Sequence, residues 1–282
     1  MKDRTYDKSK HASPDRRPRR NEREDAWSNQ EESTPSVRPV AGRNAVLELI
    51  RSERTVDKLY LRKDGDRTGS IQLIVAEALK RSIPVVEVEA SKLDRMAGGV
   101  NHQGVVASAA AKEYSTVDEI LALAEERGEK PFLVMADGIE DPQNLGSLIR
   151  VCECAGVHGL ILPKRHAVGL TEVVAKASAG ALAHLLIAKV TNLAQTVDEL
   201  KEKGIWVYAA ESGGCAYEEC NMTGASLIIL GSEGFGVSRL LRDKSDFQVS
   251  IPMYGQVNSL NVSTAAAIII HEAARQSHRA RR

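Results

Sequence analysis

Apolar positions change their period several times along this chain, and each change marks an element. From Val40 the segment AGRNAVLELIRS repeats its apolar residues every three or four positions and predicts an amphipathic helix. VDKLYL then reads as a strand, GSIQLIVAEALKRS returns to the helical period, and PVVEVE returns to the strand. A short polar helix, SKLDRMA, leads through GGVNHQG into VVASAAA, a last strand. Alternation on this scale predicts a small α/β unit over residues 38–113. STVDEILALAEERGEK follows as a helix capped by Ser115 or Thr116, a connector over residues 114–130.

A second α/β series runs over residues 131–282. Its apolar runs FLVMA, LILP, IWVYAA, SLIIL and FQVSIP are short, rich in β-branched residues and bounded by Gly, Pro or Asp. That pattern fits the strands of a parallel sheet buried on both faces. Helical patterns lie between and after them, at 144–155, 170–180, 193–203 and 260–277. Residues 1–37, by contrast, hold almost no aliphatic side chains and are expected to be a disordered, charged tail. The first 20 residues of that tail carry eight Lys or Arg against three Asp, which suits either a basic arm on RNA phosphates or a solvated segment.

Composition narrows the classes without naming one. The chain has 282 residues, with 38 Lys plus Arg and 38 Asp plus Glu, so any polyanion must be met by local patches rather than a global field. With 43% hydrophobic and 27% charged residues, a wholly disordered chain is excluded. No apolar run reaches the ~18 residues of a membrane helix, and MKDRTYDKSK lacks the apolar centre of a signal peptide. A soluble, cytoplasmic protein with no membrane partner is expected. Cys152, Cys154, Cys215 and Cys220 are spaced for neither a zinc framework nor a disulfide scaffold, so buried reduced thiols and no metal site are expected.

Three segments could carry chemistry. In MADGIEDPQNLGSLIRVCECAG, Leu145, Leu148, Ile149 and Cys152 form a buried helical stripe, which leaves Arg150 pointing away and places Asn144 at the helix entrance, where it can cap backbone donors. In LIILGSEGFGVSRLL three glycines follow a strand, and Glu233 sits among them, free to bond the amides of its own turn. The spacing of Gly231, Gly234 and Gly236 is not that of a dinucleotide or phosphate loop, which disfavours a nucleotide-dependent oxidoreductase. In FQVSIPMYGQVNSLNVSTAAAIIIHEAARQ a polar glycine loop follows a strand, and Ser259 leads as a cap into a helix whose small residues suit a tight helix crossing or a subunit interface.

N-L-G-S-L-I-R at 144–150, L-G-S-E-G-F-G at 230–236 and I-P-M-Y-G-Q-V-N-S-L-N-V-S at 251–263 come in this order at strand ends. Together they resemble the three motifs of the SpoU (TrmH-type) class of RNA ribose methyltransferases. GRNAVLEL and GGVNHQGVVA resemble the small ribosomal-protein-like RNA-binding domain of the subgroup that methylates a guanosine of large-subunit ribosomal RNA. The resemblance implies a SPOUT fold: an open parallel sheet whose C-terminal segment forms a trefoil knot, a rare exception to unknotted topology. It implies S-adenosylmethionine in the knot, with Gly231, Ile251 and Leu260 as contacts, and a homodimer through the knot. Methyl transfer to a ribose 2′-hydroxyl would then rest on Asn144, Arg150, Glu233, Ser259 and Asn261, with Asn144 orienting Arg150 or the target nucleotide. Arg43, Asn44, Asn101, His102 and Gln103 are the implied RNA contacts of the small domain. The other outcomes are a transfer-RNA ribose methyltransferase and a non-catalytic RNA-binding or ribosome-assembly protein on the same fold.

Overall fold

The computed structural model describes residues 39–280 apart from 53, 54, 66 and 68. The expected tail over residues 1–37 lies outside the described residues. The first part of the chain runs β1 (Val40–Ala41), α1 (Arg43–Arg51), β2 (Val56–Arg62), α2 (Ser70–Lys80), β3 (Val85–Val88), α3 (Ala90–Ala97) and β4 (Val105–Ala109). Its sheet has the order β1-β4-β2-β3, with β2 parallel to β3 and antiparallel to β4. Helix α1 starts at Arg43 because Gly42, at φ +98°, turns the chain out of β1. Val46, Ile50, Leu59, Leu61, Ile71 and Ile74 close the core between these helices and the sheet.

Helix α4 (Val117–Glu126) is capped by Thr116, not Ser115: Glu119 N–H donates to Thr116 Oγ1 (3.2 Å), and Thr116 N–H donates back to Glu119 Oε2 (2.6 Å). It packs on the second sheet through Ile120, against which Gly159 leaves no room for a Cβ.

That second part runs β5 (Phe132–Ala136), α5 (Pro142–Cys154), β6 (Gly159–Pro163), α6 (Glu172–Ala177), β7 (Leu186–Val190), α7 (Leu193–Glu202), β8 (Trp206–Ala216), β9 (Ser226–Leu230), α8 (Arg239–Lys244), β10 (Phe247–Ser250) and α9 (Val262–Ala280). All pairings in the sheet β10-β8-β9-β5-β6-β7 are parallel, as the five apolar runs predict, and the sheet gains an edge strand, β7, that is not among those runs because Lys189 breaks its apolar pattern. Strands β5 and β9 are buried at every residue. Phe132, Val134 and Ala136 face a layer of α5, α6 and α9, while Leu133 and Met135 face α4, α7 and α8. Helix α6 is shorter than the predicted 170–180, and α9 begins two residues later than predicted. The small residues Ala266, Ala273 and Ala274 of α9 are buried in the core that α5 shares, so the tight crossing lies within one chain. Strand order reverses between β5 and β9, so the crevice at their carboxyl ends is the place an open α/β sheet offers a ligand.

Cys152 and Cys220 are buried as expected, with burial pushing the Cys152 thiol well up, but Cys154 and Cys215 are exposed. Cys154 falls outside the stripe of Leu145, Leu148, Ile149 and Cys152 that α5 turns inward. No helix among the described residues is long and apolar enough to cross a membrane.

His158 at the foot of β6 gives the fold a pH dependence. It is buried, accepts from Phe132 N–H at Nδ1 (3.0 Å) and lies 3.0 Å from Glu129 through Nε2. Burial lowers its pKa below the ordinary 6.5, although Glu129 opposes the shift. The unfolded chain therefore takes up this proton first as pH falls, and stability drops from about pH 6.5 downward. Thermal melts at neutral and acidic pH should show this loss in the wild type and a shallower one in His158→Asn.

Candidate active site

Four chain segments leave the carboxyl edge of the second sheet and surround one cavity of about 1090 Å³. They are the stretch of β8 just past its pairing with β9 (210–213), the glycine loop after β9, the long loop after β10 and the start of α9. The glycine loop folds on itself, with Ser232 and Gly236 exchanging backbone hydrogen bonds (3.2 and 3.0 Å). A Cβ on Gly231 would lie 1.9 Å from the Gly236 carbonyl carbon, so glycine is required there by the loop's own closure. Two carboxylates hold the loop from beneath. Glu211 accepts from Val237 N–H (2.6 Å) and pairs with Arg242 (3.5 Å), and Asp137 accepts from Ser238 N–H (2.8 Å). Sequence reading missed both as parts of the site; their signal was an acid directly after an apolar run, FLVMA for Asp137 and IWVYAA for Glu211.

The predicted caps are not the caps. Asp141 begins α5 by accepting from Asn144 N–H (2.8 Å), with Pro142 at the first helical position. The Asn144 side chain is thereby left available. Asn261, not Ser259, caps α9, its Oδ1 accepting from Ser263 N–H (3.0 Å) and Ser263 O–H (2.6 Å). Glu233 bonds no amide of its own turn.

These three side chains meet instead. Asn261 Nδ2 donates to Asn144 Oδ1 (2.9 Å) and to Glu233 Oε1, tying the start of α5, the glycine loop and the start of α9 into one cluster at the cavity mouth. Ser259, Leu260, Ile251 and Gly231 line the cavity, and Ser259 has no hydrogen-bond partner among the described residues. Arg150 does not line it. It stands on α5 about 9 Å along the axis from Asn144, exposed and without a hydrogen-bond or ion-pair partner among the described residues. Asn144 therefore does not orient Arg150 by contact.

Leu230, Val249, Ile251, Val262, Ala265 and Ile269 give the cavity apolar walls, and the charged side chains that line it are Glu211 and Glu233. Apolar walls with backbone polar groups fit an adenosine, and Glu233, a carboxylate with no cation partner among the described residues, fits a positively charged ligand and opposes a phosphate. A sulfonium-bearing adenosine compound meets both conditions.

In the small domain the predicted contacts form a second cluster. Arg43 donates from its backbone to Gln103 Oε1 (3.2 Å) and from Nε to the Gln103 carbonyl (3.1 Å), and Asn101 Oδ1 accepts from Gln103 N–H (3.2 Å). His102 is tied at both ring nitrogens, to Gly104 N–H (3.0 Å) and Asp94 (3.1 Å), as a packed loop residue would be. Asn44 is exposed on the first turn of α1.

The chain resembles known proteins over most of its described length. Residues 131–271 match the SpoU rRNA methylase family, and residues 39–115 match the RNA 2′-O ribose methyltransferase substrate-binding family. A Bacillus subtilis protein assigned to the TrmH family of tRNA/rRNA methyltransferases, YacO, is 45% identical over 240 residues, 84% of this chain and 95% of that one. A Staphylococcus haemolyticus protein with the same assignment is 43% identical over 85% of this chain and 96% of its own. The SpoU methyltransferase AviRb of Streptomyces viridochromogenes, solved with S-adenosylmethionine, shares the fold at TM-score 0.55 and 23% identity, covering 86% of this chain and 90% of that one. With matched segments that span both sheets and relatives that match over nearly their whole length, this chain belongs to the SpoU methylase family, among its TrmH-type members that carry a substrate-binding domain ahead of the methylase domain.

Proposed function

We propose that the protein transfers a methyl group from S-adenosylmethionine to the 2′-hydroxyl of a guanosine ribose in large-subunit ribosomal RNA. The observation that carries the reading is the joining of Asn144, Glu233 and Asn261, from three separate loops, at the mouth of a cavity suited to a cationic adenosine compound. The ribosomal target rests on the likeness of residues 38–113 to a ribosomal-protein-like substrate domain. In this reading residues 114–130 connect that domain to the methyltransferase domain at 131–282, and the loop after β10 is threaded as a trefoil knot.

When bound, the cofactor supplies a methyl group already activated on a sulfonium, so the chain's task is positioning and charge. Gly231, Ile251 and Leu260 hold it through the cavity wall. Asn261 fixes Asn144 and Glu233 where the ribose enters, and Ser259 offers that nucleotide a free hydroxyl. A guanidinium offers donors and no acceptor, so Arg150 is unsuited as a base. Outside the cavity as it is, it acts once the RNA is bound, gripping the phosphate beside the reacting ribose and stabilising the oxygen as the proton leaves to phosphate or water. Arg43, Asn44, Asn101, His102 and Gln103 hold the RNA farther off.

The functional form is a cytoplasmic homodimer. Phe235, Met253, Tyr254, Val257 and Leu260 are exposed around the cavity mouth, with Phe235 at 93% and Tyr254 at 95%, a concentration of apolar surface that a second copy would cover.

Purified protein, radiolabelled S-adenosylmethionine and separate unmodified pools of large-subunit rRNA, small-subunit rRNA and tRNA test the reading. Label on a guanosine ribose of large-subunit rRNA is expected. Label confined to tRNA would overturn the target while keeping the chemistry, and cofactor binding without transfer to naked RNA or to ribosomal assembly intermediates would leave an RNA-binding protein.

A further inference from the structure

The loop between β6 and α6 carries Lys164, Arg165 and His166 in succession. Arg165 and His166 are exposed, Lys164 is half-buried, and none of the three side chains has a hydrogen-bond or ion-pair partner among the described residues. Many other surface cations of this chain are paired, as Arg67 with Glu87 (2.8 Å) and Lys244 with Asp198 (2.7 Å) are. The backbone of this loop is held from several sides. Lys164 N–H donates to the Val190 carbonyl (2.8 Å), Val168 N–H to the Ile139 carbonyl (3.2 Å) and Lys58 Nζ to the Ala167 carbonyl (2.6 Å). His166 sits at φ +55°, in the left-handed region that few non-glycine residues adopt.

The anchor beneath the loop is an ion cluster between the two sheets. Asp57, 1% exposed at the start of β2, accepts from Lys189 Nζ of β7 (2.8 Å) and from the Tyr114 hydroxyl, and that hydroxyl in turn accepts from Leu170 N–H (3.2 Å). Gly169 lies so close to Asp57 that a Cβ would come within 2.4 Å of its carboxyl carbon. The loop is thus fixed to both sheets while its cations stand free. Two acids lie near the loop in the chain, Glu140 before it and Glu172 on the first turn of α6.

Position gives the cations their meaning. Through the Val168–Ile139 bond the loop abuts the chain that leads into Asn144. The Arg43–Gln103 cluster lies instead at the far end of β2, where Arg62 N–H donates to Gly104 (3.0 Å), about 16 Å of strand from Asp57. An RNA held at both places passes the junction, and this loop is fixed there. We propose that Lys164, Arg165 and His166 form a phosphate-binding element that holds the sugar-phosphate backbone of the RNA between the small domain and the methyl-transfer site. The inference rests on the RNA methyltransferase reading above. A guanidinium and an ammonium on a fixed backbone would take successive phosphates without reading sequence.

The test is a Lys164→Gln/Arg165→Gln double variant of the full chain, with two RNAs, a short polyuridine oligonucleotide and an unmodified large-subunit rRNA transcript. Affinity for both is expected to fall about tenfold, and the slope of log affinity against log salt to shrink by roughly 1–2. Melting temperature and S-adenosylmethionine binding stay as in the wild type, KM for RNA rises, and turnover at saturating RNA is kept. Arg165→Lys should hold the salt slope while losing part of the affinity. Unchanged affinity and slope for both RNAs would overturn the proposal. The two readings fail separately. A wild type that binds both RNAs but methylates none removes the methyl-transfer reading, and weaker polyuridine binding by the double variant would still support the element.

Discussion

Arg150→Ala is expected to slow methyl transfer about a thousandfold in single turnover while leaving the melting temperature unchanged. The stability half follows from the side chain's exposure and its lack of partners among the described residues, since such surface substitutions stay within about 0.5 kcal/mol. The rate half follows from the charge that grows on the ribose oxygen. A thousandfold is about 4 kcal/mol of barrier, the scale on which one well-placed donor to a developing oxyanion acts. Arg150→Lys separates charge from geometry. Lysine keeps the charge but not the planar fork that can grip a phosphate and a neighbouring oxygen together, so a loss of about a hundredfold is expected. Near-full turnover by Arg150→Lys would exclude bidentate recognition. A large drop in melting temperature for either variant would show a packing role that the exposed position does not suggest.

Asn261 is expected to be the residue where two substitutions part stability from activity. Its Oδ1 caps α9 through Ser263 N–H (3.0 Å), and its Nδ2 joins Asn144 (2.9 Å) to Glu233. Asn261→Ala loses both functions, so about 1 kcal/mol of stability should go with the cap, and turnover should fall about a hundredfold as the cluster loosens. Asn261→Asp keeps an acceptor for the cap and adds a negative charge that suits a helix N-terminus, so the melting temperature should stay near wild type. It has no donor for Asn144, and its carboxylate faces that of Glu233, so turnover should fall at least as far as in Asn261→Ala. The measurement is a melting curve and a single-turnover rate for each variant. Wild-type rates in both would remove the cluster from the reaction.

Much of the fold is legible in the sequence because burial on both faces leaves a local mark. FLVMA and SLIIL are continuous apolar runs and became β5 and β9, buried at every residue. LIAKV, which became β7, breaks its run with Lys189, and only the tertiary structure shows why a lysine is tolerated there. Its counter-charge, Asp57, lies 132 residues earlier in the other sheet. Helix starts were misplaced for a related reason. Asn144 and Ser259 are good local candidates for caps, but Asp141 and Asn261 hold the positions, which frees Asn144 for a partner 117 residues away.

The sequence by itself determined the class of the fold, the stripe that α5 buries, and the three segments that the fold gathers at the cavity, since each is written within a few consecutive residues. The tertiary structure alone decided which side chains of those loops touch. Asn261 reaches Asn144 and Glu233 because parallel strands deliver all three loops to one edge of the sheet, and Arg150 stays apart because its turn of α5 faces outward. A hydrogen bond is made or lost within a few tenths of an ångström. Periodicity places a residue on a face, and only packing of the whole sheet places its atoms.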